Sequence, residues 1–166
     1  MVNKRNLAMA AVAVIGIGIG FFLVFQSDEA KIKKRFSVMA DKIEKQADES
    51  DLMAAAAAHG IENLFGPSVR IEIPSYSVDQ TFSKPDISAH ALYFRGMYQE
   101  MTISFHDFQI QFPGENTAEV GLTAVFQAVT ANGEPVKEIH EAACTLENIN
   151  DEWLFTGIRG VDVLEK

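Results

Sequence analysis

Residues Thr117–Ile149 read TAEVGLTAVFQAVTANGEPVKEIHEAACTLENI, and this stretch decides the fold. Its apolar residues alternate with polar ones on both sides of Asn132-Gly133, a dipeptide typical of tight β-hairpin turns. If Asn132–Glu134 form a three-residue turn, the facing pairs are Phe126 with His140, Ala124 with Ala142, Leu122 with Cys144 and Val120 with Leu146. These pairs place nearly all the apolar side chains on one face, and burial of that face would set the register.

Strand-like runs continue through the last third of the chain. They are Thr102–Phe112, Thr117–Ala131, Pro135–Ile149 and Trp153–Leu164. Short polar segments such as Pro113–Asn116 and Asn150-Asp151 separate them and are typical of turns. We therefore expect a four-stranded antiparallel meander, which curls because strands twist and whose concave side helices can fill.

Two helices are predicted ahead of this sheet. Apolar residues at three- and four-residue steps predict the first helix from Asp28 to about Asp48. Ser50 is a candidate N-cap for the second helix, which contains a run of alanines and which Gly66-Pro67 ends.

A short strand and a third helix follow. Alternating residues over Val69–Ile73 predict the strand. Ser83 with Asp86 three residues later is a capping pattern, so a helix begins there. Its apolar face is expected to extend through Tyr98 to Met101.

The N-terminal residues have a different character. Leu7–Phe25 is an apolar run of 19 residues without a charge. At about 1.5 Å per helical residue, this length is enough to cross a bilayer. A cleaved signal peptide is the alternative, but no pair of small residues in A-x-A spacing follows Phe25. The sequence thus predicts a single-pass signal-anchor at residues 1–27 and one domain at residues 28–166.

The orientation of this anchor is less constrained. Basic residues lie on both flanks, at positions 4 and 5 before the run and at 31, 33, 34 and 35 after it. Their count favours a cytoplasmic domain. The short charged N-terminal tail instead resembles an export signal. We expect a single-pass membrane protein, in a bacterial inner membrane, with an extracytoplasmic domain.

Charge and cysteine content exclude several functions. After residue 27 the chain holds 12 basic and 23 acidic side chains, a net charge of −11. Such a surface repels phosphate backbones, so we expect no nucleic-acid partner. Cys144 is the single cysteine, which excludes an internal disulfide and a site built from several thiolates. The sequence also has no phosphate-binding loop, nucleophile elbow or paired metal motif, so we expect no metal and no cofactor.

Three local segments resemble one known superfamily. Asn63–Ile71 is similar to its passage from second helix to first strand, and Gly114–Ala118 is similar to its G-D-T-A turn. Asp151–Phe155 resembles its D-G-x-W-x-I strand, with Glu152 in place of glycine and Phe155 in place of isoleucine. With the order of elements from Asp28 to Val163, the chain resembles the nuclear transport factor 2-like superfamily, also called SnoaL-like or cystatin-like.

This resemblance implies an α+β cone, in which helices and a curved antiparallel sheet enclose a pocket. It also implies frequent dimerisation through the sheet. Members include isomerases, cyclases, dehydratases and non-catalytic assembly modules, so the fold leaves the activity open. Single-pass members occur as scaffold subunits of bacterial secretion machines. We expect a membrane-anchored binding or assembly module; the alternative is a small-molecule enzyme, isomerase- or dehydratase-like, that uses the pocket.

Polar residues on the concave face are the candidate ligand site. The register above, carried across the other turns, places His106, His140 and Arg159 on that face with Phe108, Ile110, Trp153, Phe155 and Val161. With Tyr76 or Tyr98, these three could bind a small anionic or carbonyl-bearing ligand, since histidine titrates near neutral pH and arginine offers forked donors. The structural alternative is that each lies at the rim or bonds a nearby carboxylate, Glu138 or Asp162. No catalytic residue can be assigned.

The opposite face of the sheet is the candidate protein interface. The same register places five apolar residues there: Ile103, Phe105, Val125, Val129 and Ile139. Apolar residues on an outer face favour a homodimer or another protein partner. However, the apolar phase slips between Phe105 and Phe108, so a bulge there would turn Phe105 inward.

Overall fold

The computed structural model describes residues 27–74 and 77–161. In this part the helices are α1 (Asp28–Ile43), α2 (Asp51–Glu62) and α3 (Lys84–Gly96). The strands are β1 (Phe65–Ile73), β2 (Val78–Ser83), β3 (Tyr98–Gly114), β4 (Thr117–Thr130), β5 (Pro135–Ile149) and β6 (Glu152–Val161). They form a six-stranded sheet in the order β2-β1-β6-β5-β4-β3.

The chain divides into two compact units, Met1–Ile32 and Lys33–Lys166. The described part of the first unit contributes only the start of α1. The second unit holds all six strands, α2, α3 and the rest of α1. Among residues 27–74 and 77–161, no helix combines the length and apolarity needed to cross a membrane. The predicted anchor at residues 7–25 lies outside the described residues.

The two predicted helix caps are confirmed. The Ser50 hydroxyl accepts a hydrogen bond from the Met53 backbone N–H at 3.3 Å at the start of α2. At the start of α3, the Asp86 carboxylate accepts from the Ser83 N–H at 2.9 Å and from its hydroxyl at 2.6 Å. The Ser50 bond pairs an N–H of the first turn of α2 that has no partner within the helix, and the Asp86 bonds pair the N–H and the hydroxyl of Ser83, the residue before α3. They also hold the pKa of the Asp86 carboxyl below its usual value.

The meander is confirmed, but its central register differs from the prediction. The Thr130 N–H donates to the Glu134 carbonyl, so the turn is Ala131–Gly133, one residue earlier than expected. Gly133 has φ +84°, which glycine adopts without a steric penalty. The register therefore moves by two residues, and Ala124 instead of Phe126 faces His140. A two-residue shift keeps each side chain on its predicted face.

Two of the β-bulges in the sheet decide on which face the predicted site residues lie, because they reverse the alternation of side chains. In β3, Asp107 and Phe108 together oppose the single residue between Gly121 and Thr123, and Asp107 has φ +56°. In β6, the extra residue is Thr156, because Phe155 faces Leu146 while Gly157 faces the adjacent Thr145. Each bulge moves the residues beyond it to the face opposite the one that simple alternation predicts.

The core centres on one phenylalanine of α1. The Phe36 ring is 1% exposed and lies 5.2 Å from Phe105, 5.2 Å from Phe108 and 4.9 Å from Phe155, measured between ring centroids. We call the sheet face that bears these three rings the inner face and the opposite one the outer face. Phe105 therefore lies inside, as the bulge alternative predicted, and so does Ile103, which faces Phe126. The expected place of both residues on the outer face is wrong.

Several predicted boundaries are also wrong. α1 ends at Ile43 instead of near Asp48, and Gly66-Pro67 lies inside β1 instead of at the end of α2. Tyr98 and Met101 belong to β3 instead of the helix before it. For α1 and β3 the reason is a tertiary contact. Lys45 exchanges backbone hydrogen bonds of 2.9 and 3.1 Å with Met101, so both segments are extended where helical periodicity was expected.

Candidate functional site

The three predicted polar residues do not share one wall. His140 faces Ala124, which in turn faces Phe105, so His140 lies on the inner face as expected. His106 precedes the bulge at Asp107, and it lies on the outer face. Arg159 follows the bulge at Thr156, and it also lies on the outer face. The prediction that all three line the concave side is therefore wrong, because both bulges were absent from the assumed alternation.

His140 forms a local pair. Its Nε2 lies 3.0 Å from a carboxylate oxygen of Glu138, two residues earlier on the same strand, and both side chains are about half exposed. His140 thus bonds a nearby carboxylate, which was the structural alternative to a ligand-binding role. Such a pair orients the imidazole ring.

Tyr98 lies at the start of β3 in an aromatic trio. Its ring centroid is 5.1 Å from that of Phe94 and 5.4 Å from that of Phe126. Phe94 reaches this trio from α3, so the trio covers the inner face beside the β4–β5 hairpin. Tyr76, the remaining predicted ligand-binding residue, lies outside the described residues.

His106 is exposed on the outer face. Its Nε2 lies 2.9 Å from the Ser104 hydroxyl, which is on the same face of the same strand. Both side chains lie on an open sheet surface, and neither lines one of the grooves of the outer face. Because both side chains are exposed to water, this pair does not form an enclosed reaction site.

Arg159 lines a groove of about 440 Å³ on the outer face. Small residues of three neighbouring strands form its floor: Gly121, Ala143 and Gly157. Longer polar side chains border it: Arg70, Glu72, Gln109, Gln111, Glu119, Thr145 and Arg159. A second depression, of about 610 Å³, continues from it and shares Arg70, Thr145 and Gly157. The predicted site residue thus lies at a real concavity, on the face opposite the one expected.

The two arginines of this groove differ in their partners. The Arg70 guanidinium holds Asp79 through two hydrogen bonds of 2.9 and 3.0 Å. This contact lowers the pKa of the Asp79 carboxyl and raises the pKa of Arg70. Arg159 makes no hydrogen bond or ion pair with any described residue, although Glu72 is paired with it on the neighbouring strand β1. Among the described residues, Arg70 thus has an anionic partner, whereas Arg159 has none.

The structure contains a buried ion pair that the sequence did not predict. Arg95 is 2% exposed and binds the Glu49 carboxylate through Nε, at 3.2 Å, and through Nη2. Its other donors bind the backbone carbonyls of Lys42, Ile43 and Glu44 at 2.9–3.0 Å. These are carbonyls that the end of α1 leaves without helical partners. The available signal was spacing, since Arg95 follows Ile87 and Ala91 at four-residue steps and so lies on the apolar stripe.

Two further observations limit the chemistry of the described residues. Cys144 is buried, and burial raises the pKa of its thiol to about 12, so the nucleophilic thiolate is scarce near neutral pH. Within residues 27–74 and 77–161, no three His, Cys, Asp or Glu side chains are grouped to hold a metal ion.

Comparisons with known proteins identify the fold. No protein-family model and no curated protein matches the chain. Solved structures do match. A putative scytalone dehydratase from Novosphingobium aromaticivorans has a TM-score of 0.68 at 9% identity, covering 82% of this chain and 85% of that one.

Two other matches carry different descriptions. A hexachlorocyclohexane dehydrochlorinase from Novosphingobium barchaimii has a TM-score of 0.63 at 7% identity, covering 81% of this chain and 85% of that one. A putative calcium/calmodulin-dependent protein kinase II association domain from Xanthomonas campestris has a TM-score of 0.59 at 12% identity, covering 83% and 86%. At such identities the likeness establishes a fold and no activity. The chain therefore has the nuclear transport factor 2-like fold, an α+β arrangement of three described helices and a curved six-stranded sheet.

Proposed function

We propose that this protein is a membrane-tethered binding or assembly module whose outer sheet face contacts a protein partner. The observation that carries this proposal is that the inner face is packed with aromatic rings, whereas two of the polar candidate residues lie on the outer face. Around Phe36 the inner side is filled by packed aromatic rings. His106 and Arg159, which were expected to line an inner ligand site, are on the outer face.

The outer face has an apolar half beside the β4–β5 hairpin. It consists of Val125, Val129 and Ile139, and Val125 directly faces Ile139. The Ile139 side chain is 60% exposed, an unusual position for an isoleucine in the middle of a long strand. Exposed apolar groups on an outer sheet face are typical of contact surfaces. One structural neighbour is itself described as an association domain, which is consistent with this use of the fold.

A second copy of the chain is the partner we favour. A homodimer brings the same patch of both copies together. A patch of uncharged side chains suits this arrangement, because like charges would repel each other. The tether supports such a contact, because two copies in one membrane meet at a high effective concentration. The apolar run of residues 7–25 is the basis for the tether, and alkaline extraction of membranes tests it: a spanning segment stays with the lipid fraction.

Substitution of Ile139 tests the partner contact. We expect the full-length chain in mild detergent to form a dimer by light scattering coupled to size exclusion, and Ile139→Asp to shift it to monomer. Leu52→Asp is the matched control, since Leu52 is 81% exposed but lies on α2. Equal masses for Ile139→Asp and wild type, with cross-linked partners also unchanged, would refute the proposed contact.

The alternative, a small-molecule enzyme, has one observation in its favour. His140 and Glu138 form a pair on the inner face, beside the aromatic trio of Phe94, Tyr98 and Phe126. A histidine oriented by a carboxylate is a common general base. Two structural neighbours are described as a dehydratase and a dehydrochlorinase. A metabolite that co-purifies with wild type and is lost from His140→Gln of unchanged stability would favour the enzyme.

A further inference from the structure

The outer face has a second half, which the proposed partner contact does not use. Gly121 precedes Val125 by four strand residues, so the groove lies about 13 Å along β4 from the apolar half. We call this region the grooved half. Its floor is low because Gly121 and Gly157 carry no side chain and Ala143 carries only a methyl group. The longer side chains around this floor stand above it, so a concavity opens here.

Opposite charges stand on the two sides of this floor. Arg159 belongs to β6 and Glu119 to β4, with β5 between them. Two strand spacings and two residues along the strands separate their backbones, about 12 Å in all. Both side chains are longer than those of the floor and can converge above it.

Neither of these charged groups has a partner in residues 27–74 and 77–161, although Glu72 is the neighbour of Arg159 on β1. Among the described residues, Arg159 and Glu119 have no hydrogen bond and no ion pair, whereas the neighbouring Arg70 is held by Asp79. Gln109 and Gln111 on β3 add carboxamides that likewise have no partner in the described part of the chain. The groove therefore offers a cation, an anion and two amides, all available to a ligand.

We propose that the grooved half binds a zwitterionic small molecule, an amino acid or a short peptide. Its carboxylate pairs with the Arg159 guanidinium and its ammonium with the Glu119 carboxylate. Gln109 and Gln111 bond the remaining amide or polar groups. Arginine suits a carboxylate because its planar fork donates two parallel hydrogen bonds.

The charge pattern selects this class over simpler ligands. A plain anion would meet Arg159 but also the carboxylates of Glu119 and Glu72. A plain cation would meet Glu119 but also Arg159. Only a ligand with both charges satisfies both walls, which is charge complementarity of the usual kind. The volume of about 440 Å³ is within the range of small-molecule sites.

Matched ligands provide the first test. Glycyl-leucine is titrated calorimetrically into the full-length protein in detergent, beside N-acetyl-glycyl-leucine and glycyl-leucinamide, which lack the ammonium and the carboxylate respectively. We expect glycyl-leucine to bind and each blocked analogue to bind at least about tenfold more weakly, since a charge-assisted hydrogen bond is lost. Equal affinity of all three, or no heat at millimolar glycyl-leucine, overturns the proposal.

Variants of the groove provide the second test. Arg159→Gln and Glu119→Gln should each weaken glycyl-leucine about tenfold. Gly121→Val should abolish binding by filling the floor, and the fold should tolerate it, because a Cβ there meets only the Gln109 Cβ at 3.8 Å. Lys137→Gln is the control, since Lys137 is a cation of the same sheet but lies in the apolar half of the outer face. Unchanged binding in Gly121→Val with an unchanged melting temperature also overturns the proposal.

A charge exchange separates ligand contact from a structural role. The double variant Arg159→Glu/Glu119→Arg presents the same charges in reverse order, so it should bind glycyl-leucine better than either single variant. Failure of the double variant to exceed both singles contradicts direct charge pairing. The outcome is independent of the proposed dimer, because dimerisation is measured on Ile139→Asp, and a loss of one activity without the other identifies which proposal fails.

Discussion

The buried pair of Arg95 and Glu49 gives the sharpest prediction about stability. Arg95→Met keeps much of the side-chain volume but removes every donor. It leaves the Glu49 carboxylate, whose side chain is 7% exposed, and three carbonyls at the end of α1 without their partner. Breaking a buried pair by removing one member typically costs about 3–5 kcal/mol. We expect a loss of that size in the free energy of unfolding.

A double-mutant cycle separates pairing from packing. Glu49→Gln alone leaves the Arg95 charge with neutral acceptors, and the double variant Arg95→Met/Glu49→Gln removes both charges. Each single change leaves the other charge buried without its partner. We therefore expect the loss in free energy of unfolding of the double variant to be smaller than the summed losses of the two single variants, by more than about 1 kcal/mol.

Urea unfolding followed by tryptophan fluorescence measures these differences. Trp153 is the single tryptophan and is 2% exposed, so its emission reports on loss of the core. Arg70→Met is the matched control, since the Arg70–Asp79 pair is on the surface and screened by water, and we expect a much smaller change there. A cost below about 1 kcal/mol for Arg95→Met, or strict additivity in the cycle, would refute this account of the pair.

Four further outcomes are expected. Phe36→Ala should lower the free energy of unfolding by about 3–5 kcal/mol, because three aromatic rings lose their common contact; a cost below about 1 kcal/mol in urea would contradict that packing. Cys144 should resist a maleimide at pH 8 until the protein is denatured, since its thiol is buried with a pKa of about 12, and rapid labelling of the native state would disprove its burial. Asp107→Gly should be tolerated and Asp107→Val should destabilise by at least about 1 kcal/mol, because only the first adopts φ +56° readily; calorimetric melting distinguishes them. Asp86→Asn should be less stable than wild type near pH 7. The pKa of Asp86 is lowered in the folded state, so its contribution is complete above the usual value of 3.8 and is lost as pH falls through the lower folded value; a difference that persists at the most acidic pH would contradict this linkage.

Local signals predicted most of the elements because their causes are local. Ser50 and Ser83 cap helices through atoms three residues away. Asn132-Gly133 marked the hairpin, whose turn has the predicted length and lies one residue earlier. The boundaries that failed depend on distant partners. α1 stops where Arg95 binds its last carbonyls and Lys45 pairs with Met101, more than 50 residues away, and no local pattern contains that information.

The candidate site was predicted in part. His140 was placed on the correct face, and the apolar slip between Phe105 and Phe108 indicated the first bulge. The second bulge, at Thr156, had no counterpart in the apolar pattern. Arg159 was therefore assigned to the inner face, and the outer groove that it borders was missed.

Sequence alone determined the order of helices and strands, the meander and the partition of most side chains into two faces, because periodicity, capping and turn residues act over a few positions. Only the tertiary structure decided which polar residues meet. One extra residue in a strand turns everything after it to the other face, and whether a strand accepts that residue depends on its neighbours across the sheet. For the same reason the burial of Arg95 and the groove beside Arg159 emerge only when distant segments pack together.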